Sequence, residues 1–318
     1  MTIKRIKTRI CLDSNLFNNS LDYLGYFYNK VWSTGTITGF SQPQSICYIP
    51  TVDKIAVANS TANTIKYVNS AGTVTNTIAV GTYPYSICYI PTVDKVAVVN
   101  TDTSNVMLIN SAGVKTNTIT VGDYPQYVCY IPTVDKIAVV TASNNVMLIN
   151  STGTVTNTIT VGTNPQSVCY IPTVDKIAVA NSNSNNVMLI NSTGTVTNTI
   201  TVGAYPVSIC YIPTVDKIAV VNQDGTNNVR LVNTAGTVTN TITVGGYPQY
   251  VCYIPTVDKI AVSSPSSTNI FLINSTGVLT TAITIGVYPR FMCYIPTTDE
   301  LAISNSSSTN TVITMKVI

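Results

Sequence analysis

From residue 33 onward the chain alternates short apolar runs with short polar punctuation, and no segment sustains a 3.6-residue apolar period. Residues 165–203 show the unit. Pro-Gln-Ser-Val-Cys-Tyr-Ile-Pro is followed by Thr-Val-Asp-Lys-Ile-Ala-Val-Ala-Asn, a polar loop, Asn-Val-Met-Leu-Ile-Asn, and Ser-Thr-Gly-Thr-Val-Thr-Asn-Thr-Ile-Thr-Val-Gly. These are four runs rich in β-branched and aromatic residues, separated by Pro, Asp, Asn and Gly turn signals, and they predict four strands. The tetrapeptide Cys-Tyr-Ile-Pro recurs at Cys47, Cys88, Cys129, Cys169, Cys210, Cys252 and Cys293, with spacings of 41, 41, 40, 41, 42 and 41. Four strands in about 40 residues match the blade of a β-propeller. Seven copies predict an all-β, seven-bladed propeller with four antiparallel strands per blade.

The two ends predict how the ring closes. The last copy supplies three strands, 291–295, 300–304 and 311–317, and lacks a fourth. The segment Ser33-Thr34-Gly35-Thr36-Ile37-Thr38-Gly39-Phe40 matches the missing outer strand, so the N-terminal strand is expected to complete the last blade and hide its edge. The expected organisation is an N-terminal arm, 1–32, and a propeller, 33–318. The pattern Val179-Ala180-Asn181, Asn186-Val187-Met188-Leu189-Ile190-Asn191 and Thr199-Ile200-Thr201-Val202-Gly203-Ala204-Tyr205-Pro206 resembles the YVTN family of seven-bladed propellers. The tyrosine of that motif is replaced throughout by Ala56, Ala97, Ala138, Ala178, Ala219, Ala261 and Ala302. The resemblance implies a surface-layer or secreted interaction protein and brings no catalytic residues with it.

Composition narrows the chemistry. Charged residues make up 9% of the 318, against about 25% in an ordinary globular chain. Thr (50), Asn (32) and Ser (26) contribute roughly a third of the sequence. There is no histidine, which removes imidazole bases, His-dependent zinc sites and haem-His ligation. Residues 1–32 carry five basic and two acidic side chains, and the remaining residues carry eleven of each, so the net +3 belongs to the arm. A neutral body lacks the clustered basic face that nucleic acid requires. No nucleophile–base pair and no phosphate-binding glycine loop is present, and no cofactor, metal site or enzymatic activity is expected.

Two repeated features invite a ligand and have simpler readings. The seven repeat cysteines occupy one position in the innermost strand, where seven-fold spacing puts neighbouring Cα atoms about 8 Å apart, beyond ordinary disulfide reach. They read as small hydrophobes between blades, which leaves Cys11 as the one candidate reactive thiol. The pairs Asp53-Lys54, Asp94-Lys95, Asp135-Lys136, Asp175-Lys176, Asp216-Lys217 and Asp258-Lys259, with Asp299-Glu300 in the seventh copy, form a second ring. Carboxylates clustered at a channel mouth suit a divalent cation. A turn Asp bonding its own backbone explains the same pattern without one.

The copies differ from one another in their strand 2–3 loops and in the links from strand four to the next blade, two sets that project from one face of the disc. This variable face is the candidate partner-binding site, with Tyr83, Tyr85, Asp123, Tyr124, Tyr127, Tyr205, Tyr247, Tyr250, Tyr288 and Arg290 as candidate residues. Tyrosine offers broad contact with little rotamer entropy lost, and it stacks on sugar rings. Solvent-loop drift, with Tyr-Pro merely fixing the approach to strand one, is the alternative.

The arm ends in an aromatic cluster, Tyr23, Tyr26, Phe27, Tyr28 and Trp32, which reads either as extra core for the ring or as an anchor in a larger assembly. Its basic start is not followed by an apolar signal core or a membrane span. A Thr/Ser/Asn-rich, charge-poor body without an export signal suits a protein made in the cytoplasm and carried to the exterior in a virus particle. The expected role is a non-enzymatic structural or attachment component of a phage virion. Its arm would bind other proteins of the particle, and its variable face a host glycan or surface protein. A cell-surface or surface-layer adhesin is the first alternative. A small-ligand-binding or catalytic propeller using the central channel is the second.

Overall fold

The computed structural model describes residues 35–223, 228–285, 288–306 and 310–317. They form seven four-stranded antiparallel sheets arranged as a ring. Blades 1 to 6 span 43–79, 84–120, 125–160, 165–201, 206–243 and 250–284, and blade 7 combines 289–316 with Gly35–Ile37. Blade 4 is representative. Pro165–Ile171 pairs with Lys176–Asn181, which pairs with Asn186–Asn191 and then with Val196–Thr201, in the register Cys169–Ala178–Leu189–Asn198. The expected closure is present: Gly35, Thr36 and Ile37 pair antiparallel with Thr314, Ile313 and Val312.

The blades are held by side chains wedged between sheets. Cys169, Ala178, Ala180, Val187 and Leu189 of blade 4 meet Ile209, Tyr211, Ile218 and Val220 of blade 5 in one buried cluster. Apolar residues on both faces of the inner strands explain why those strands read as nearly continuous apolar runs, while outer strands such as Val196–Thr201 bury only one position deeply. The repeated alanines, all 0% exposed, lie between a cysteine and the third strand's central residue, where a bulkier side chain would force two blades apart.

Three sets of hydrogen bonds lace neighbouring blades together, one of them at every junction. Near the channel, the backbone N–H groups of Ile87, Val128, Ile209 and Val251 donate to Ser45, Ser86, Ser167 and Ser208 of the preceding blade at 3.2–3.3 Å. At the periphery, the outer-strand Asn76, Asn117, Asn157, Asn198 and Asn240 donate to a carbonyl in the following blade's strand 3–4 turn. That turn needs glycine: Gly194 has φ +96°, and a Cβ there would come within 2.2 Å of Asn157 Nδ2.

The aspartates make the third set. Tyr170 Oη donates to Asp175 Oδ1 at 2.8 Å, Thr133 of blade 3 donates to the same oxygen at 2.6 Å, and Ser192 donates to Oδ2 at 2.5 Å. The Thr-to-Asp bridge recurs at every junction, including Thr297 to Asp53 across the closure. The turn Asp therefore does more than hold its own turn. It accepts from hydroxyls on two blades, while its backbone sits in the left-handed region with φ 48–59°.

Candidate functional site

The face carrying the nearly identical turns is occupied by its own structure. Burial alone would push the carboxyls of Asp94, Asp135, Asp175, Asp216 and Asp258 up, but three hydroxyl donors on each hold them below the usual aspartate range. Burial pushes the partner phenols of Tyr130, Tyr170 and Tyr211 up to about 12, so they remain donors. In blade 7, Glu300 replaces the lysine of the repeat. It is fully buried, accepts a bond from Thr298, and faces Lys316 across the sheet; burial raises its pKa against those two influences. Among the described residues, no group of three or more acidic or thiol side chains is placed to hold a metal ion.

The opposite face carries both variable sets of connections. Tyr124, Tyr205, Tyr247 and Tyr288 stand outward at 54–60% exposure. Tyr83, Tyr124, Tyr205 and Tyr247 adopt φ between +46° and +56°, a region that non-glycine residues other than Asn and Asp rarely enter. Asn164 and Gln42 fill the same position in blades 4 and 1, also with positive φ. At Tyr83 and Tyr205 the strain is held from both sides. Tyr83 N and Tyr205 N donate to Asn63 and Asn185 of the preceding blade, and Tyr83 O, Tyr124 O and Tyr205 O accept from Thr101, Ala142 and Gln223 of their own. The backbone at Tyr83 and Tyr205 is thus held on both sides, and that at Tyr124 on one, before any partner arrives.

The other candidates turn inward. Tyr127 and Tyr250 share a hydroxyl–hydroxyl bond of 2.8 Å. Phe291 packs on Tyr250 at 4.9 Å and edge-on to Tyr85 at 5.6 Å, and Tyr83 stacks on Tyr85 at 6.3 Å. Arg290 donates to Gln44 at 2.9 Å. Part of the Tyr85 ring reaches the surface, yet burial around its hydroxyl raises its pKa against the pull of Arg290. These aromatics crowd the end of the inner strands that meets the variable face. Tyr127 and Tyr250 also line a cavity of about 100 Å³, whose wall includes Cys47, Cys129, Cys169, Cys210, Cys252 and Cys293.

The ten candidates of this face therefore divide. Tyr124, Tyr205, Tyr247, Tyr288 and the exposed Asp123 point outward, while Tyr83, Tyr85, Tyr127, Tyr250 and Arg290 surround the channel end. Phe291 joins the second group without having been singled out. Its signal was available: it sits two residues before Cys293, where four other blades have serine. The arm candidates Tyr23, Tyr26, Phe27, Tyr28 and Trp32, like Cys11, lie outside the described residues.

A closed seven-bladed ring of this kind has many solved counterparts. Kuenenia stuttgartiensis hydrazine synthase is similar over 88% of this chain and 97% of its own, with a TM-score of 0.79 at 17% identity. Virginiamycin B lyase from Staphylococcus aureus gives a TM-score of 0.78 at 14% identity, covering 89% of this chain and 98% of that one. A streptogramin B lyase gives 0.78 at 11% identity, over 88% and 95%. At these identities the likeness defines the fold alone. No family model matches the chain, and no curated protein matches it in sequence.

Proposed function

We propose that the protein is a non-enzymatic attachment module whose binding surface is the rim of tyrosines on the variable face. The observation that carries this reading is the left-handed backbone of exposed Tyr124, Tyr205 and Tyr247. A position that accepts Asn in blade 4 is filled with a strained, outward-pointing aromatic in three others, a local conflict of the kind that marks a functional surface. The finer reading is a virion component, with 1–32 as its docking arm. The Thr/Ser/Asn-rich, charge-poor composition supports it. Immobilised protein should capture intact bacterial envelopes, and a Tyr124→Asn/Tyr205→Asn/Tyr247→Asn variant should not; equal capture by both overturns the reading. Deleting 1–32 should abolish incorporation into the particle while leaving capture intact.

A channel-centred reading has two supports: the cavity of about 100 Å³ and the presence of lyases and a synthase among the structural neighbours. Against it, a histidine-to-alanine form of virginiamycin B lyase is described as catalytically inactive, and this chain has no histidine to supply. Calorimetric titration with Ca²⁺ and with small apolar molecules separates the readings. Stoichiometric binding that is indifferent to the rim variant favours the channel.

A further inference from the structure

We infer that the occupant of the tyrosine rim is a neutral, repeating glycan chain, an inference that rests on the attachment reading. Three features of the face select this chemistry. First, the two variable sets of connections carry three acidic side chains, Asp102, Asp123 and Asp224, and no basic one; the rest are Ser, Thr, Asn, Gln, Gly, Ala, Val, Ile, Pro, Phe and Tyr. The two cations beside these connections, Arg290 and Lys66, are bonded to Gln44 and to the Gly39 carbonyl, so a highly charged polymer, sulfated or sialylated, finds no clustered counter-charge there.

Second, among the described residues the large apolar side chains most exposed on this face are all tyrosines. The exposed aliphatics Val114, Val196, Val278 and Leu279 belong to the strand 3–4 turns and the starts of outer strands, at the other end of the blades. A protein interface is organised around a contiguous apolar centre. Here the exposed tyrosines are separate platforms, one each on blades 3, 5, 6 and 7, with polar loops such as Ser182–Asn185 between them. A pyranose has the complementary surface, an apolar C–H face that lies on an aromatic ring and a hydroxyl edge that bonds to amides and hydroxyls.

Third, the platforms repeat. Tyr124, Tyr205 and Tyr247 occupy one backbone position, with the same left-handed φ of 46–52°, in blades 3, 5 and 6. Equivalent sites on a ring match equivalent units on a polymer, so weak individual contacts combine by effective concentration.

The test uses the full-length protein and an array of neutral oligosaccharides and polysaccharides, with sulfated and sialylated glycans as charge controls. The expected result is binding to at least one neutral glycan that changes less than about twofold between low and high salt. The Tyr124→Asn/Tyr205→Asn/Tyr247→Asn variant should lose it by about 100-fold or more, as expected when multivalency is removed. Because Asn164 already occupies the equivalent position, the variant should melt at or above the wild-type temperature, which separates lost binding from lost fold. Binding to no neutral glycan, binding only to charged ones, or binding unaffected by the variant overturns the inference. Envelope capture distinguishes its failure from that of the attachment reading. Rim-dependent capture that survives periodate and is lost on proteolysis removes the glycan and keeps attachment. Rim-independent capture removes both.

Discussion

Asp175 shows what a repeated residue does in this ring. It gathers Tyr170, Thr133 and Ser192 onto one carboxylate, so replacing it strands three hydroxyl donors at once. Asp175→Ala should cost about 2–4 kcal/mol, because bonds to charged groups contribute about 1.5–3 kcal/mol and Ala is also disfavoured at positive φ. Urea unfolding checks it. The pH dependence follows from the same contacts. The aspartate pKa values are lowered on folding, so their contribution is complete above the unfolded value of about 3.9 and is lost as pH falls through the lower folded values. The tyrosine values are raised to about 12, so their contribution is complete below about 10 and lost as pH rises through 12. The melting temperature should therefore be flat between about pH 5 and 9 and fall on both sides. On the acid side, Asp175→Ala should fall less steeply than the wild type. Sequence reading recognised this Asp as a turn residue but not as a bridge. Thr133 precedes it by 42 positions, and nothing local announces that a hydroxyl of the previous copy will arrive at that carboxylate.

At the scale of the strand, the innermost element of each blade carries one code with two outcomes. Ser45, Ser86, Ser167 and Ser208 each receive an N–H from the next blade, whereas blades 3, 6 and 7 place Tyr127, Tyr250 and Phe291 there and crowd the channel end with rings. Both choices fit the alternating pattern of a strand, which is why the strands were legible and the aromatic cluster was not. Period and turn chemistry fix where a strand runs; how the two faces of the disc differ is decided by side chains from distant copies meeting across the channel. The same strands make a testable distinction among the cysteines. Cys252 and Cys293 are half-buried, while Cys47, Cys88, Cys129, Cys169 and Cys210 are buried. A small thiol reagent, followed by peptide mass spectrometry, should label the first two in the native protein and the other five only on unfolding. Uniform labelling of all seven would mean that the inter-blade contacts open freely.

For the whole molecule, the decisive contact is the one between its two ends. The strand Gly35–Ile37 contributes only three residues to blade 7, yet it covers the edge that Thr311–Lys316 would otherwise expose. Behind it, Ile37 and Phe40 enter a cluster with Ile46, Tyr48 and Ile55 of blade 1 and Ile295 and Ala302 of blade 7, so closure joins three parts of the chain in one core. This was the most legible part of the architecture, because a last copy lacking one strand and a first segment matching that strand leave one economical arrangement. It also gives the strongest test. Thr36 and Ile313 are register partners on the more exposed side of the pair, so a Thr36→Cys/Ile313→Cys variant places two thiols across the closure. Their disulfide would close a loop of about 280 residues, for which the chain-entropy relation gives roughly 5 kcal/mol, with engineered bonds often delivering less. Oxidation should raise the unfolding midpoint in urea and reduction should restore it, with the cross-linked peptide pair identified by mass spectrometry. The variant also reports on cooperativity. In a ring whose weakest junction is the non-covalent closure, the bond removes the first opening event, so it should slow unfolding more than it speeds refolding. A disulfide that forms yet leaves the unfolding rate unchanged would show that the ring opens first at another blade boundary.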